Sequence, residues 1–316
     1  MKASIVIVNW NSKEYLATCL RSLEKYENIS NLQIIVVDGG SFDGCDSMLI
    51  ADFPYVEFIQ SSENIGFGRC NNLGVKLVES EYLLLLNPDT ELNEPTLDKM
   101  IAFHKELPQA GILCPRLLLN DGSLQQSSVQ AAPTPLNQAI SSKFLQRLFP
   151  KSNLWGTYPA YYTNTPTPVE AVSGAFMFMY TRDFENIEGF DPLFFMYAED
   201  MDLCFRTREN KLINYHIPSI SVIHHGGGCS SKEESSFSVI QIKIAIHQYF
   251  KKNHSLSAAV RFRMYTVVSS VIRLTILYLW MIANVIGKVS NIKTSASIKK
   301  WTHILRWSIC LEKQYP

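Results

Sequence analysis

Paired cysteines are missing from this chain. Seven are scattered over 316 residues with no CxxC pair, and an odd, unpatterned set argues against a disulfide framework and for a reducing compartment. Zinc-type Cys/His spacing is absent as well, which removes a structural zinc module. No sequence of fixed period repeats, so solenoids and propellers are excluded. The run Ala3–Val8 is strand-like and carries no small-residue cleavage site, so it does not read as a signal peptide. With 47% apolar residues the chain has enough material for a sizeable core.

Acids are nearly missing from one end. Residues 251–316 hold 11 Lys/Arg against one acid, Glu312, while residues 1–250 hold 18 Lys/Arg against 28 Asp/Glu. The net charge of zero therefore conceals balances of +10 and −10, which predicts an acidic body with a basic tail facing an anionic surface. No nucleic-acid recognition motif accompanies the charge, so the expected surface is a membrane. A long apolar run is lacking too. Leu274 to Ile286 is uncharged for 13 residues, short of the ~20 needed to span a bilayer, and Arg273 just upstream is costly at mid-membrane. Arg261, Arg263, Lys288, Lys293, Lys299 and Lys300 flank the run. That pattern fits an in-plane helix on anionic lipid; packing on the body of the protein or on a second subunit is the alternative.

What is present is a rhythm of strand, turn and helix. Ser4 to Val8, Leu32 to Val37 and Val56 to Ile59 are strand-like runs, each followed by polar turn residues and a helical pattern. Ser12 is the expected N-cap of the first helix. Tyr82 to Leu86 is an unbroken apolar run, the pattern of a strand buried on both faces, and it ends in Asn87-Pro88-Asp89-Thr90. Proline cannot continue a central strand, so the chain turns there, at the sheet edge where open α/β folds bind ligands. A helix over 95–107 and a strand over 111–115 continue the pattern, which predicts an α/β sandwich with a mainly parallel sheet. Residues 120–170, broken by six prolines from Pro133 to Pro168, are expected to form a loop region beside the acceptor site.

Five strand ends and turns carry chemistry. Asp38-Gly39-Gly40 suits contact with a polar ligand or an ordinary βα turn. Asn64-Ile65-Gly66-Phe67-Gly68-Arg69 permits close backbone approach before a helix, where a phosphate is favoured. It lacks the third glycine of the dinucleotide fingerprint, which argues against a nicotinamide enzyme. A carboxylate at Asp89 can hold a hard divalent cation. Glu199, Asp200 and Asp202 stand together behind Phe194, Phe195, Met196 and Tyr197; burial among like charges raises a carboxyl pKa and can poise a base. Helix-start acids that only complement the dipole are the plainer reading. His224 and His225 precede three glycines at the end of a strand, where the backbone can approach a charged ligand closely.

Taken in order, SIVIVNWN (4–11), VVDGGSFDG (36–44), NIGFGRCNNLG (64–74), LLLLNPDTEL (83–92), SGAFM (173–177), GFDPLFFMYAEDMDLCFR (189–206) and the histidine-glycine segment (224–230) resemble glycosyltransferase family 2. The resemblance is to the inverting enzymes of GT-A fold, and most to the bacterial rhamnosyltransferase-like branch of O-antigen and surface-polysaccharide synthesis. It implies a Rossmann-like sheet sandwiched by helices in a catalytic domain over 1–235. Its nucleotide half would be about 1–115 and its acceptor half about 116–235, with a helical, basic, membrane-associating tail over 236–316.

The resemblance also implies roles. Asp38 would hold the nucleotide base beside Val8 and Asn9; Asn64, Gly66, Phe67, Arg69 and Asn72 would line the nucleotide pocket. Asn87-Pro88-Asp89 stands where the family has DxD, which leaves Asp89 as the metal ligand, completed by His224, for Mg²⁺ or Mn²⁺. Asp200 matches the catalytic base, with Glu199 and Asp202 in the same motif. The donor would be a nucleoside-diphosphate sugar, rhamnose or a similar hexose. The acceptor would be a lipid-linked, polyprenyl-diphosphate glycan at the cytoplasmic face of the plasma membrane. The Q-x-x-R-W motif of processive members is absent, so transfer of one or a few sugars is expected. Two other readings stay open: a nucleotidyltransferase on a similar fold, and a binding protein without turnover.

Overall fold

A computed structural model of the chain describes residues 1–125, 128–140, 163–226, 236–286 and 292–309, with isolated positions between 145 and 154. The chain forms two compact units, Met1–Ala132 with Lys151–Lys232, and Pro133–Pro150 with Glu233–Pro316. The expected loop region 120–170 falls partly outside the described residues, as does the glycine run after Gly226.

In the first unit, β1 (Ala3–Asn9), β2 (Leu32–Asp38), β3 (Glu57–Gln60) and β4 (Tyr82–Leu86) are parallel in the order β3-β2-β1-β4. The connections are α1 (Lys13–Tyr26), α2 (Cys45–Asp52) and α3 (Phe67–Val75). β1 and β4 are buried along their whole length, which is why they read as continuous apolar runs. Ile5, Ile7, Leu84, Leu86, Phe176 and Phe178 pack with Leu16, Leu20 and Leu23 of α1 in the main core.

Beyond β4 the sheet becomes mixed. β5 (Thr90–Leu92), α4 (Leu97–Glu106) and β6 (Ala110–Leu118) follow it in the chain, and later come β10 (Phe176–Tyr180) and β11 (Ile213–His224). β10 lies antiparallel between β4 and β6, β11 runs parallel to β6, and β5 closes the edge antiparallel to β11. β8 (Thr167–Val169) pairs along β11, and β7 (Val129–Gln130) with β9 (Ala171–Val172) forms a separate two-stranded ladder. α6 (Thr181–Asn186) and α7 (Glu199–Glu209) complete the unit.

Two registers place the functional ends. Asn9 is opposite Asp38 and Ile7 is opposite Leu86, so the ends of β1, β2 and β4 share one sheet edge. On the far side His224 is opposite Thr90, which brings the last strand back to the NPDT turn. Three local readings change. Ser12 holds the N-cap position of α1 but makes no capping bond; the Asp43 carboxylate accepts from Ser12 N and Lys13 N instead, each at 3.0 Å. By residue type Thr90 or Asn93 also reads as the cap of a following helix, but Thr90 opens β5, and Glu27 accepts from Thr96 N and Leu97 N to cap α4. The apolar run Ile220 to Ile223 reads as a short strand of four residues; the strand ending at His224 has 12.

The second unit is helical: α5 (Pro135–Ile140), α8 (Ser236–Asn253), α9 (Leu256–Ile286) and α10 (Ile292–Ser308), with α9 packed along α5, α8 and α10.

Candidate active site

The turn after β4 is tight because Pro88 directs it. Thr90 donates from both its N (3.2 Å) and its Oγ1 (2.7 Å) to the Asn87 carbonyl, closing a four-residue turn with proline at its second position. This points the buried Asp89 toward β11. There His224 Nε2 lies 3.1 Å from Asp89 Oδ1, and His225 N donates to the Asp89 carbonyl at 2.9 Å. Alternation along β11 turns His225 the other way, toward Glu91 at 3.4 Å and the Tyr15 ring. The structure thus joins Asp89 with His224 and leaves His225 apart.

A residue that sequence reasoning missed completes this pair. Gln125 Oε1 lies 2.8 Å from His224 Nδ1. An amide oxygen can only accept, so that bond requires a proton on Nδ1 and turns the Nε2 lone pair of neutral His224 toward Asp89. Two acceptors 3.1 Å apart suit a shared cation. Two residues before Asp89 in the same turn, Asn87 Oδ1 is buried without a hydrogen-bond partner. Oxygen and imidazole donors of this kind match Mg²⁺ or Mn²⁺, so the residues present fit the expected metal. A lone glutamine in a polar turn gives no signal in the sequence.

Among the described residues, Asp38, Asp43 and Cys45 also bring ligand-type atoms within 4.8 Å of one another. Their oxygens are already engaged. Asp38 accepts from Asn9 Nδ2, Ser41 Oγ and N, Phe42 N and Gln60 Nε2, and Asp43 caps α1. Burial alone would push the Asp38 carboxyl up, but bonds from Ser41, Gln60, Phe42 and Asn9 outweigh it and hold the pKa below the usual range. Asp38 and Asn9 are fully buried and fasten the β2–α2 loop, and Val8 lies buried just before Asn9.

The glycine-rich loop is built against the acidic motif. Gly66 has φ 88°, and a Cβ there would stand 2.1 Å from the Phe195 carbonyl oxygen, to which Phe67 N donates at 3.2 Å. Asn64 Oδ1 accepts from Gly66 N at 3.0 Å. Asn72 and Arg69, expected to line the nucleotide pocket, are hydrogen-bonded to the chain itself. Asn72 bonds Phe190 through both amide atoms, at 2.7 and 2.9 Å, and Arg69 donates twice to the Pro192 carbonyl, at 3.2 and 2.7 Å. Both hold the 189–192 turn in place.

That turn leads to the base candidate. Tyr197 and Ala198 both have positive φ, 70° and 64°, an unfavourable conformation for residues with a Cβ, and α7 starts immediately after. Asp200 Oδ2 accepts from Gly174 N at 3.1 Å and Oδ1 from Met201 N at 2.8 Å. Burial raises its pKa although these backbone bonds oppose it. Glu199 is raised too, first by burial and then by the Asp200 charge, and its Oε2 is buried without a partner. Asp202 departs from the acidic trio: it is fully buried and ion-paired with Arg206 at 2.7 Å, so it anchors α7. Asn87 N donates to the Ala175 carbonyl at 3.0 Å, which ties the Asp89 turn to the Gly174 loop that holds Asp200. A groove of about 550 Å³ between Glu170 and Arg208 lies by the opposite end of α7 and contains none of these residues.

Residues 4–182 match the family described as Glycosyl transferase family 2. The chain is 25% identical over 245 residues to the N-acetylglucosaminyl-diphospho-decaprenol L-rhamnosyltransferase of Mycobacterium tuberculosis, covering 73% of this chain and 78% of that one. It is 29% identical over 238 residues to the rhamnosyltransferase WbbL of Escherichia coli K12, with 70% and 82% covered. Among solved structures, the mannosyltransferase PcManGT of Pyrobaculum calidifontis superposes with a TM-score of 0.59 at 12% identity, over 98% of this chain and 86% of that one. S. aureus TarS superposes at 0.51 and 16% identity over 85% of this chain, which spans 49% of TarS. The ordered motifs had implied what the matched region and the shared architecture bear out: this chain belongs to glycosyl transferase family 2 and is a glycosyltransferase of GT-A fold.

Proposed function

We propose that the protein is an inverting glycosyltransferase that moves rhamnose or a similar hexose from a nucleoside-diphosphate sugar to a hydroxyl of a lipid-linked glycan. The observation that carries this reading is the Asp200 carboxylate at the start of α7, held by two backbone amides and raised in pKa by burial. A carboxylate so fixed can take the proton of an acceptor hydroxyl as its oxygen attacks the anomeric carbon. The bond from that carbon to the diphosphate breaks in the same displacement, and the nucleoside diphosphate leaves. One displacement inverts the anomeric configuration. Glu199, kept neutral by burial beside Asp200, avoids a second negative charge next to the base.

Asp89 and His224 would hold Mg²⁺ or Mn²⁺, with the unpartnered Asn87 oxygen in the same turn and Gln125 fixing the His224 tautomer. Bound there, the cation supplies charge neutralisation for the departing diphosphate. PcManGT, which shares the fold, is described in complex with GDP-Man and Mn²⁺. Gly66 and Phe67 open α3, whose dipole favours a phosphate near its N-terminus, while their own N–H groups are held by Asn64 and Phe195; Asp38, Asn9 and Val8 form the neighbouring strand ends for the base.

The acceptor class follows from relatives. The M. tuberculosis protein is named for rhamnose transfer to a diphospho-decaprenol-linked sugar, and this chain's basic tail suits a site at the inner membrane face. The test supplies dTDP-rhamnose, and in parallel UDP- and GDP-hexoses, with Mn²⁺ and a polyprenyl-diphosphate N-acetylglucosamine acceptor. Anomeric configuration of the product is read by NMR. Inversion with one donor is expected; retention would overturn the single displacement.

A further inference from the structure

The second unit carries its polarity inside out. Ala258, Ala259, Phe262, Thr266, Ser269 and Ser270 form the buried row of α9. Arg273 continues that row: its Nε donates to Ser269 Oγ at 3.2 Å, its Nη2 donates to the Ile140 carbonyl at 3.1 Å, and its guanidinium lies 4.3 Å from the centre of the Trp301 ring. The opposite face displays Met264, Val268, Ile272, Ile276 and Leu279 at helical spacing, with Trp280 beside them; Met264, Ile276, Leu279 and Trp280 are each 60% or more exposed. A helix on a water-soluble protein does the reverse, with its large apolar residues inward. Small and polar residues inside with bulky apolar ones outside is the arrangement of helices whose outer solvent is lipid.

Charge decides how such a helix would sit. From Met264 to Ala283 the only charged residue is Arg273, and it points inward. The neighbours are different: α8 exposes Lys251 and Lys252 at its end, and α10, packed along α9, exposes Lys299 and Arg306. By length and composition Leu256–Ala283 of α9 is enough to cross a membrane, beyond the 13-residue run read from the sequence. The exposed ammonium and guanidinium groups of the helices packed on it would have to enter hydrocarbon with it, however, which argues against a crossing. A single apolar face bordered by cations matches a helix lying along the surface. No acid occurs between 236 and 309. A second copy on this face would set one +10 tail against another, whereas an anionic surface complements it.

We infer that α9 lies in the plane of an anionic bilayer, with its Met264–Leu279 face among the acyl chains and Lys251, Lys252, Arg261, Lys299 and Arg306 at the headgroups. This deepens the membrane location in the proposed function and rests on that reading. It also gives the inward course of Arg273 a reason.

The test uses full-length protein and flotation with phosphatidylcholine vesicles, with and without phosphatidylglycerol. The wild type is expected to float with the anionic vesicles and to lose binding as salt rises. The Val268→Ser/Ile272→Ser/Ile276→Ser/Leu279→Ser variant changes only exposed positions. It should keep the wild-type circular dichroism and bind about tenfold more weakly or worse. Brominated lipid should quench wild-type tryptophan fluorescence, and Trp280→Phe should remove most of the quenching. Equal flotation of wild type and variant would overturn the inference. So would a lipid-independent dimer in sedimentation that the variant converts to monomer. Calorimetry with UDP and dTDP plus Mn²⁺ separates the two readings: no nucleotide binding beside normal flotation would fail the catalytic reading alone.

Discussion

At Asp200 the sign of the pKa shift makes the proposed chemistry testable. Burial favours the neutral acid, and a base must be ionised, so kcat should fall on acidification at a pH above the ordinary aspartate value of about 3.9. Asp200→Asn should lower kcat by about 10²–10⁴-fold with nucleotide affinity unchanged in calorimetry. Glu199 gives a stability test of the same sign. Its folded pKa is raised, so the fold loses stability as pH rises above the unfolded value of about 4.3. Glu199→Gln removes that loss: its unfolding midpoint should exceed the wild type's at pH 8 and match it near pH 4.5. Gln125→Leu should weaken Mn²⁺ binding, read by electron paramagnetic resonance, by about 10–100-fold, while Gln125→Glu, which keeps an acceptor oxygen, should restore most of it. Asp89, His224 and Asp200 were legible because strand ends and an acidic motif single them out. Gln125 was not, since its meaning depends on a partner 99 residues away. Arg69 and Asn72 looked like ligand groups by type; only the course of residues 189–192 shows what they hold.

The elements were legible where periodicity was clean. β1, β2 and β4 are unbroken apolar runs and α1 repeats at helical spacing, so that part of the sheet could be read directly. β11 could not, because Pro218 interrupts it; the strand absorbs the proline where its register against β6 shifts between Ile217 and Ser221. β5 is three residues long and exists only by pairing with β11, a long-range contact that no local pattern encodes. The loop-to-loop contact at Gly66 gives the prediction at this scale. Gly66→Ala meets both a positive φ and the Phe195 carbonyl, so it should destabilise the protein by about 2 kcal/mol or more in urea unfolding. Because Phe195 leads into α7, the same change should lower kcat, whereas Gly122→Ala, strained by its own φ of 77° but with nothing within 4 Å of its Cβ, should leave kcat unchanged.

For the whole molecule, the division of charge was plain in the sequence, and the basic end belongs to a helical unit of its own. What the linear pattern hid was which side of α9 faces outward. Arg273 had seemed to interrupt an apolar helix; it is instead part of the inward polar row, and the apolar face runs past it. The described residues of 133–150 group with this unit although they were read with the acceptor half, because proline-rich chain carries little periodicity by which to place it.

The most direct measurement is release of nucleoside diphosphate from the nucleotide-sugar panel, with Mn²⁺ and the polyprenyl-linked acceptor, for wild type, Asp200→Asn and Asp89→Ala. The account predicts metal-dependent release with one donor, near-complete loss in both variants, and nucleotide binding retained by Asp200→Asn. Release by Asp200→Asn at the wild-type rate would contradict it, because no base would then act at the start of α7.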